Sequence, residues 1–439
     1  MTVSLPLTRT IAEIACNTQF DNLPDDVVRM ARLALIDALG CFYRGGGEPL
    51  VKIIAEEFGI TDWSAEKLLP GAINGIAANN LALLFGASTH AIDYDDSHAL
   101  MPGHIGAPVI SAIMAQSRTA HYSFEEILEA TVAGYEVAAR VGQLLTPEHY
   151  GKGFHTTSTI GMFGAAAATA KLLKLSVEQT CQAFGVTLTQ VAGVKSTFGT
   201  MAKPFNAGNA AASGLLAARL VAKGFTAPDN GLEVPQGLLD LFDGKAESDI
   251  HIAPGSEYLI LQNMFKLYAS CHFTHPCIDG IAMMMREYTI NADIIESITV
   301  KVAPLSFKTA GIVEPTSGLE CKFSFPQVVA MALCGRDLTD DALFSDVMLS
   351  DNAVNTMRSN VSIETVETQT PDRVVYHLSL SGGESFDFEY SMFDHMPTLD
   401  QLEPQVINKY RSNAGFGIGK ERAETLLAQL ISDVSSVSL

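Results

Sequence analysis

Residues 90–98, HAIDYDDSH, place two histidines, three aspartates and one serine in nine positions. Side chains of these types bind metal ions, transfer protons or cap helix ends. Imidazoles exchange protons near neutral pH, and neighbouring carboxylates orient them or take the proton themselves. The spacing alone leaves these three possibilities open, so the interpretation depends on the polar residues elsewhere in the chain.

A second polar stretch, HYGKGFHTTST, covers residues 149–159. A loop between Gly151 and Gly153 leads to His155 and then to Thr156, at the start of a predicted helix. Hydroxyls cap the free N–H groups of a helix N-terminus, and those groups attract anions. The pattern predicts either a carboxylate site beside His155 or plain N-capping with an incidental histidine.

A third polar stretch, FGTMAKPFNAGNAAASG at 198–214, contains Lys203 between a small-residue loop and a helix without large side chains. A lysine there can approach a ligand closely and lose solvation, which favours the neutral amine that acts as a base. The alternative is a solvated surface lysine. Because lysines and arginines number 28 against 49 acidic residues, a cation beside histidines is drawn from a small pool. Such a cation is expected to mark the site of an anionic substrate.

The fourth polar stretch, FKLYASCHFTHPCIDG, covers residues 265–280. It contains Lys266, and its histidines His272 and His275 are three apart, which places them on one face if the segment is helical. Zinc sites in proteins use closed ligand sets such as HExxH, and this stretch has none. The seven cysteines form no CxxC pair, so a metal site is the weaker hypothesis throughout.

The sequence lacks the usual phosphate-binding and nucleophile motifs. GGGEP at 45–49 does not have the Rossmann spacing, and AGFGIGKE at 414–421 lacks the leading glycine and the Ser/Thr of a P-loop. No GxSxG occurs either. We expect both glycine-rich stretches to be helix-to-helix turns.

A net charge of −21 argues against nucleic acid or an anionic membrane as a partner. Apolar-and-glycine runs such as 161–168 are far shorter than a membrane span. The N-terminal residues lack the basic and apolar regions of a secretory signal. Together these features predict a cytoplasmic protein with reduced thiols.

Several helices must hold these polar stretches in place. Apolar residues at helical spacing, and a capping box of Ser123 with Glu126, predict helices over most of residues 1–240. IESITVKVAP, VSIETVE, RVVYHLSLSGG and SFDFEYS alternate like strands around a helical FSFPQVVAMALC. The predicted fold is mainly α, with an all-helical bundle domain at 1–264, completed by the helical tail 396–439, and an α+β domain at 265–395.

The four polar stretches resemble those of the MmgE/PrpD family, which includes 2-methylcitrate dehydratase, cis-aconitate decarboxylase and iminodisuccinate epimerase. HAIDYDDSH with PGHIGAPV, GFHTTSTIGMFGAAAATAKLLKLS, MAKPFNAGNAAASGLLAA and FKLYASCHFTHPCID carry the resemblance, in the family's order and over most of the chain. It implies a homodimer without metal or organic cofactor, in which an α+β lid domain covers an active site in the cleft between domains.

The resemblance also assigns residues to the site. The residues matching the family's motifs are Asp93, Ser97, His104, His155, Lys203 and Lys266. Two positions depart from the family. Gln327 stands where the decarboxylase branch has a tyrosine, and Asn206 stands where many relatives have a histidine. Both changes remove a titratable group and therefore weigh against decarboxylation and dehydration.

The predicted chemistry is abstraction of a proton α to a carboxylate of a small di- or tricarboxylate. We predict an epimerase with Lys203 opposed by Tyr150 or His155, assisted by His104 and Asp93. The predicted substrate-binding residues are Ser97, Lys266, Thr156 and His272. A dehydratase or decarboxylase of the same family is the first alternative, and a non-catalytic dimeric binding protein is the second.

The opening stretch then forms one wall of a proton-transfer cleft. If it is helical, Asp93 and Ser97 are i,i+4 neighbours that face the ligand together. Asp95 and Asp96 are expected to cap a helix or to orient His104.

Overall fold

A computed structural model describes residues 6–68, 75–245 and 258–432. The described chain is mainly helical, as the sequence predicts, and contains six strands. The helices are α1 (Leu7–Asn17), α2 (Asp25–Gly45), α3 (Pro49–Glu57), α4 (Ala78–His90), α5 (Gly106–Ser117), α6 (Phe124–Leu145), α7 (Glu148–Lys152), α8 (Thr156–Thr159), α9 (Gly161–Leu172), α10 (Val177–Leu188), α11 (Ala202–Val221), α12 (Leu238–Leu241), α13 (His275–Glu287), α14 (Pro304–Ala310), α15 (Gly318–Cys321), α16 (Phe325–Leu333), α17 (Asn352–Ser359), α18 (Leu399–Ile418) and α19 (Lys420–Ile431). The strands are β1 (Ser97–His98), β2 (Asn263–Met264), β3 (Ile295–Val302), β4 (Val361–Thr365), β5 (Arg373–Leu380) and β6 (Ser385–Ser391).

The chain forms two compact units. The first comprises Met1–Phe265 and Leu402–Leu439, and the second comprises Lys266–Gln401. Among the described residues, no helix is both long enough and apolar enough to cross a membrane.

The first unit is a helical bundle whose centre consists largely of alanine and glycine. Helix α11 packs on α4 and α9, and α6 also packs on α9. Small side chains let the helix axes approach closely. A Cβ atom at Gly208 of α11 would lie 2.3 Å from the carbonyl oxygen of Leu83 in α4, so only glycine fits there. This close contact brings the first turn of α11, which carries Lys203, next to the loop that follows α4.

The predicted helix boundaries follow from local hydrogen bonds. The N–H of Glu126 donates to Ser123 Oγ at 3.2 Å, and the N–H of Ser123 donates to Glu126 Oε2 at 2.9 Å. The capping box at the start of α6 is therefore confirmed. GGGEP spans the turn between α2 and α3, and AGFGIGKE contains the junction at Gly419 between α18 and α19, so a helix-to-helix turn is present in each stretch.

The second unit contains a mixed four-stranded sheet in the order β4-β3-β5-β6. Strand β3 pairs in parallel with β4 and antiparallel with β5, and β5 pairs antiparallel with β6. Along β5 the residues Val374, Tyr376, Leu378 and Leu380 are buried in alternation, and Tyr376 donates to the carbonyl of Cys277 in α13 at 2.9 Å. The four strands predicted by alternation are thus present.

The helical interpretation of HAIDYDDSH is wrong. Helix α4 ends at His90, Asp93 has a φ of 54°, and Ser97 lies in β1, which pairs antiparallel with β2. Asp93 and Ser97 are therefore not i,i+4 neighbours on a helix. Aspartate side chains compete for backbone hydrogen bonds and tolerate the left-handed region, and both properties favour a turn after α4.

Candidate active site

Basic and acidic side chains alternate in a buried row at the end of α4, in the loop that follows it and at the start of α11. Lys203 Nζ lies 2.6 Å from Asp93 Oδ1, and the same oxygen is 3.4 Å from His104 Nε2. On the other side of its ring, His104 Nδ1 is 3.2 Å from Asp95 Oδ2. Asp95 Oδ1 is 2.8 Å from His90 Nδ1. We call these five buried residues the histidine–aspartate cluster.

His104 has a carboxylate oxygen near each ring nitrogen. Its backbone N–H donates to Thr157 Oγ1 at 3.0 Å, which fixes the start of the segment leading into α5. A proton on either ring nitrogen of His104 would therefore face a carboxylate oxygen. His104 is therefore placed to hold and deliver a proton.

His90 forms a dyad with Asp95. Nδ1 of His90 lies 2.8 and 3.0 Å from the two Asp95 carboxylate oxygens. Burial lowers the pKa of His90 to about 4, and the nearby Lys203 adds to this effect. Burial alone would raise the pKa of Asp95, but His104 and His90 outweigh it and lower that pKa. At neutral pH the dyad is thus a carboxylate that accepts from the Nδ1–H of a neutral imidazole.

His155 comes from the loop before α8. Phe154 forms an antiparallel bridge with Val194, and the N–H of His155 donates to the carbonyl of Gly193 at 3.1 Å. Burial, and then Lys203, hold the pKa of His155 well below its usual range. Asn206 Nδ2 donates to His155 Nδ1 at 3.2 Å, which leaves the proton of the neutral ring on Nε2.

Helix α8 does not provide the predicted anion site at its N-terminus. It contains only four residues, too few to build a useful dipole, and His155 makes no side-chain capping bond. The hydroxyl of Thr156 donates to the carbonyl of Pro102. Thr156 thus ties the turn at Pro102 to α8, and Thr157 does the same for His104.

The other predicted residues lie in other elements of the chain. Tyr150 is buried in α7, and Lys195 Nζ lies 3.6 Å from the centroid of its ring. Ser97 is buried in β1. Lys266 and His272 belong to the second unit, where Lys266 is fully buried. The rings of His272 and His275 are 4.4 Å apart.

The remaining aspartate of the opening stretch has a structural role. Asp96 Oδ1 accepts from the N–H of Gly106, the first residue of α5, at 2.9 Å. Its Oδ2 accepts from Asn263 Nδ2 at 2.9 Å and from the hydroxyl of Tyr135. Asp96 thus satisfies the first N–H of α5, and Asp95 contacts the ring of His104, in line with the expectation that these aspartates cap a helix or orient His104.

Sequence reasoning did not single out His90. Its signal is present in the sequence, because a histidine five residues before an aspartate across a turn can form a dyad. The fold is needed to bring His104 to the same carboxylate. The sequence also could not show that Asp93 is the partner of Lys203, since 110 residues separate them.

Four members of the cluster have the composition of a metal site. Ligand atoms of His90, Asp93, Asp95 and His104 all lie within 4.8 Å of one another. The ammonium of Lys203 is already placed against Asp93, and a second cation there would be repelled by it. The donor set therefore fits proton transfer better than metal binding.

Comparisons with known proteins show what this chain is similar to. The model of the MmgE/PrpD N-terminal domain matches residues 9–251, and that of the C-terminal domain matches residues 268–433. A cis-aconitate decarboxylase of Aspergillus terreus is 24% identical over 96% of this chain and 91% of its own length. The mouse and human cis-aconitate decarboxylases are each 22% identical over 96% of this chain, and 89% and 90% of their own lengths are covered. These names favour the lyase alternative over the predicted epimerase.

Proposed function

We propose that this chain, which belongs to the MmgE/PrpD family, is a lyase that removes CO2 from a small unsaturated tricarboxylate such as cis-aconitate. The observation that supports this proposal most strongly is His104, which lies between Asp93 and Asp95 with Lys203 next to it. The site thereby combines a proton donor with a cation. Relatives named as cis-aconitate decarboxylases support the choice of substrate class.

Decarboxylation requires one proton. When the carbon–carbon bond to a carboxylate breaks, its electron pair stays on the carbon skeleton and CO2 leaves. The skeleton then takes up one proton, so each turnover releases one CO2 and consumes one proton. His104 is the proposed donor, because its two ring nitrogens lie 3.4 Å from Asp93 Oδ1 and 3.2 Å from Asp95 Oδ2.

The other carboxylates of the substrate need positive charge and hydrogen-bond donors. Lys203 places its Nζ, a group with three donors, 2.6 Å from Asp93 Oδ1 at the centre of the cluster. His155 has its Nε2–H available for a carboxylate, because Asn206 occupies Nδ1. We therefore assign Lys203 to electrostatic stabilisation instead of the base role expected from the sequence, because its Nζ already lies 2.6 Å from the Asp93 carboxylate.

One observation favours epimerisation as a second candidate. Gln327 stands where the decarboxylase branch has a tyrosine, and it is buried with its Oε1 accepting from Arg358 Nη1 at 2.9 Å. A glutamine amide cannot supply the proton that a tyrosine hydroxyl can. If that hydroxyl is needed for CO2 loss, this chain retains proton abstraction and return, as the sequence suggested.

A substrate screen distinguishes the candidates. Purified protein is incubated with small di- and tricarboxylates, and the mixtures are followed by proton NMR and by CO2 detection. The proposal expects CO2 and a dicarboxylate from cis-aconitate. Inversion or α-proton exchange of a dicarboxylate without CO2 favours the epimerase, and a melting shift without turnover favours a binding protein.

A further inference from the structure

The histidine–aspartate cluster contains a proton acceptor next to its proton donor, and decarboxylation uses only the donor. His90 is 1% exposed, and among the described residues no group forms a hydrogen bond with its Nε2. Because Nδ1 donates to Asp95, the lone pair of the neutral ring is on Nε2. An unpaired buried lone pair is costly to maintain, which points to a ligand or substrate as its partner.

The acceptor and the donor are neighbours. The rings of His90 and His104 are 4.4 Å apart at their centroids in an edge-on arrangement, and both contact Asp95. The ring of His155 is 5.9 Å from that of His90. A proton can therefore be taken at one point of a small substrate and supplied at another, while Asp95 stabilises whichever imidazolium is present.

We propose that this cluster also catalyses an allylic proton shift in its substrate, with His90 as the base and His104 as the acid. The inference rests on the proposed substrate class. In an unsaturated tricarboxylate, Nε2 of His90 takes a proton from the methylene carbon next to the alkene. The C–H electron pair becomes the new double bond, and the electron pair of the old double bond takes the proton of His104 at the far carbon. One proton leaves and one arrives, and no carbon–carbon bond breaks.

Lys203 supports this step as well as CO2 loss. Removing the methylene proton delocalises negative charge over the attached carboxylates, and an ammonium stabilises that charge. The shifted alkene of cis-aconitate has the same constitution as the starting compound. The reaction is therefore invisible in ordinary water and leaves its trace only as isotope exchange.

The test uses cis-aconitate in D2O with the full-length protein. The reaction is stopped at partial conversion, and the remaining cis-aconitate and the released CO2 are quantified by NMR and mass spectrometry. The inference expects deuterium at the methylene and vinyl carbons of the recovered substrate. His90→Asn retains an amide that can donate to Asp95 but lacks Nε2. It should lower exchange by about 100-fold or more while CO2 release falls less than about tenfold.

The outcomes separate the two proposals. CO2 release without deuterium in the recovered substrate overturns the inference and leaves the lyase intact. Exchange without CO2 supports the inference and overturns the lyase. Equal losses of both activities in His90→Asn overturn the role of His90 as a specific base, and absence of both activities in the wild type overturns both proposals.

A second measurement needs no variant. Nitrogen-15 NMR of labelled histidines reports the tautomer of each ring. His98 is an internal reference of the opposite tautomer, because its Nε2 donates to the Leu259 carbonyl at 2.8 Å. His90 should be the neutral Nδ1–H form at pH 7, and its Nε2 signal should move when tricarballylate, a saturated tricarboxylate, is added. An Nε2–H tautomer, or an Nε2 signal that tricarballylate does not move, contradicts the assignment.

Discussion

Lys409 and Asp37 form a buried ion pair beside the loop that carries the histidine–aspartate cluster. Their Nζ and Oδ1 atoms are 2.6 Å apart, and Nζ also donates to the carbonyl of Tyr94 at 2.5 Å. Lys409 lies in α18 near the C-terminal end of the chain, whereas Asp37 lies in α2. Tyr94 separates Asp93 from Asp95, so a lysine of α18 fixes the backbone between two aspartates of the site.

Replacing Lys409 should destabilise the protein and loosen the loop that contains Tyr94. In Lys409→Met, Asp37 would be buried without its cation, and breaking such a pair costs about 3 kcal/mol or more in the free energy of unfolding. Burial already raises the pKa of Asp37 to about 7. The double variant Asp37→Asn/Lys409→Met should therefore recover part of the loss in urea unfolding. If Lys409→Met lowers the free energy of unfolding by less than about 1 kcal/mol, the pair does not hold the loop.

Lys203 should be essential for turnover. Lys203→Ala removes the cation that faces Asp93 and the substrate, and less than about a tenth of kcat should remain, a loss above ~1.4 kcal/mol in the transition state. Lys171→Ala is a matched control, because Lys171 also pairs with a carboxylate, at 3.5 Å from Glu129. Lys171 lies near the C-terminal end of α9, about 15 Å along that helix from its first residue, Gly161. Equal kcat values in the two variants would exclude the role of Lys203.

Stability should fall on mild acidification. Burial lowers the pKa of His98 to about 4, below its usual value of 6.5. Between pH 6.5 and pH 4 the unfolded chain binds more protons than the folded one. The stability that His98 contributes is therefore complete above pH 6.5 and is lost as the pH falls from 6.5 through 4. This one group contributes up to about 3 kcal/mol. The urea concentration at the unfolding midpoint should decrease from pH 7.5 to 5.5 and again to 4.5. It should decrease less steeply in His98→Asn. An unchanged slope in this variant would contradict the assignment.

Metal removal should leave activity intact. Asp93 already contacts Lys203, and the three other carboxylate contacts within the cluster go to histidines, so each carboxylate has a partner without a resident ion. Turnover should survive exhaustive treatment with EDTA or dipicolinate, and elemental analysis should find less than one metal ion per chain. Stoichiometric zinc or iron whose removal abolishes activity would instead favour a metal site at His90 and His104.

Local patterns predicted much of the fold because their causes are local. The capping box at Ser123, the glycine-rich turns and the alternating strands each depend on residues a few positions apart. The orienting role of Asp95 could also be predicted, because His104 is only nine residues away.

The rest of the site depends on distant contacts. The left-handed backbone of Asp93 is compatible with its sequence but is held by Lys203, 110 residues away, and by the Lys409 contact to Tyr94, 315 residues away. The pairing of Lys203 with Asp93, on which its proposed electrostatic role rests, is likewise invisible in the local sequence. The tautomer of His90 likewise follows from a turn whose shape the sequence left open.

We propose that this cluster delivers one proton to carbon for each CO2 released from an unsaturated tricarboxylate. The most direct measurement follows carbon-13-labelled cis-aconitate in D2O and counts labelled CO2 against deuterium in the dicarboxylate product. We expect enzymic rates of ~1 s⁻¹ or more, at least one solvent deuteron on carbon per CO2, and loss of both signals in Lys203→Ala. Wild-type protein that releases no CO2 above background, while it inverts a dicarboxylate with α-deuterium uptake, would contradict the lyase assignment.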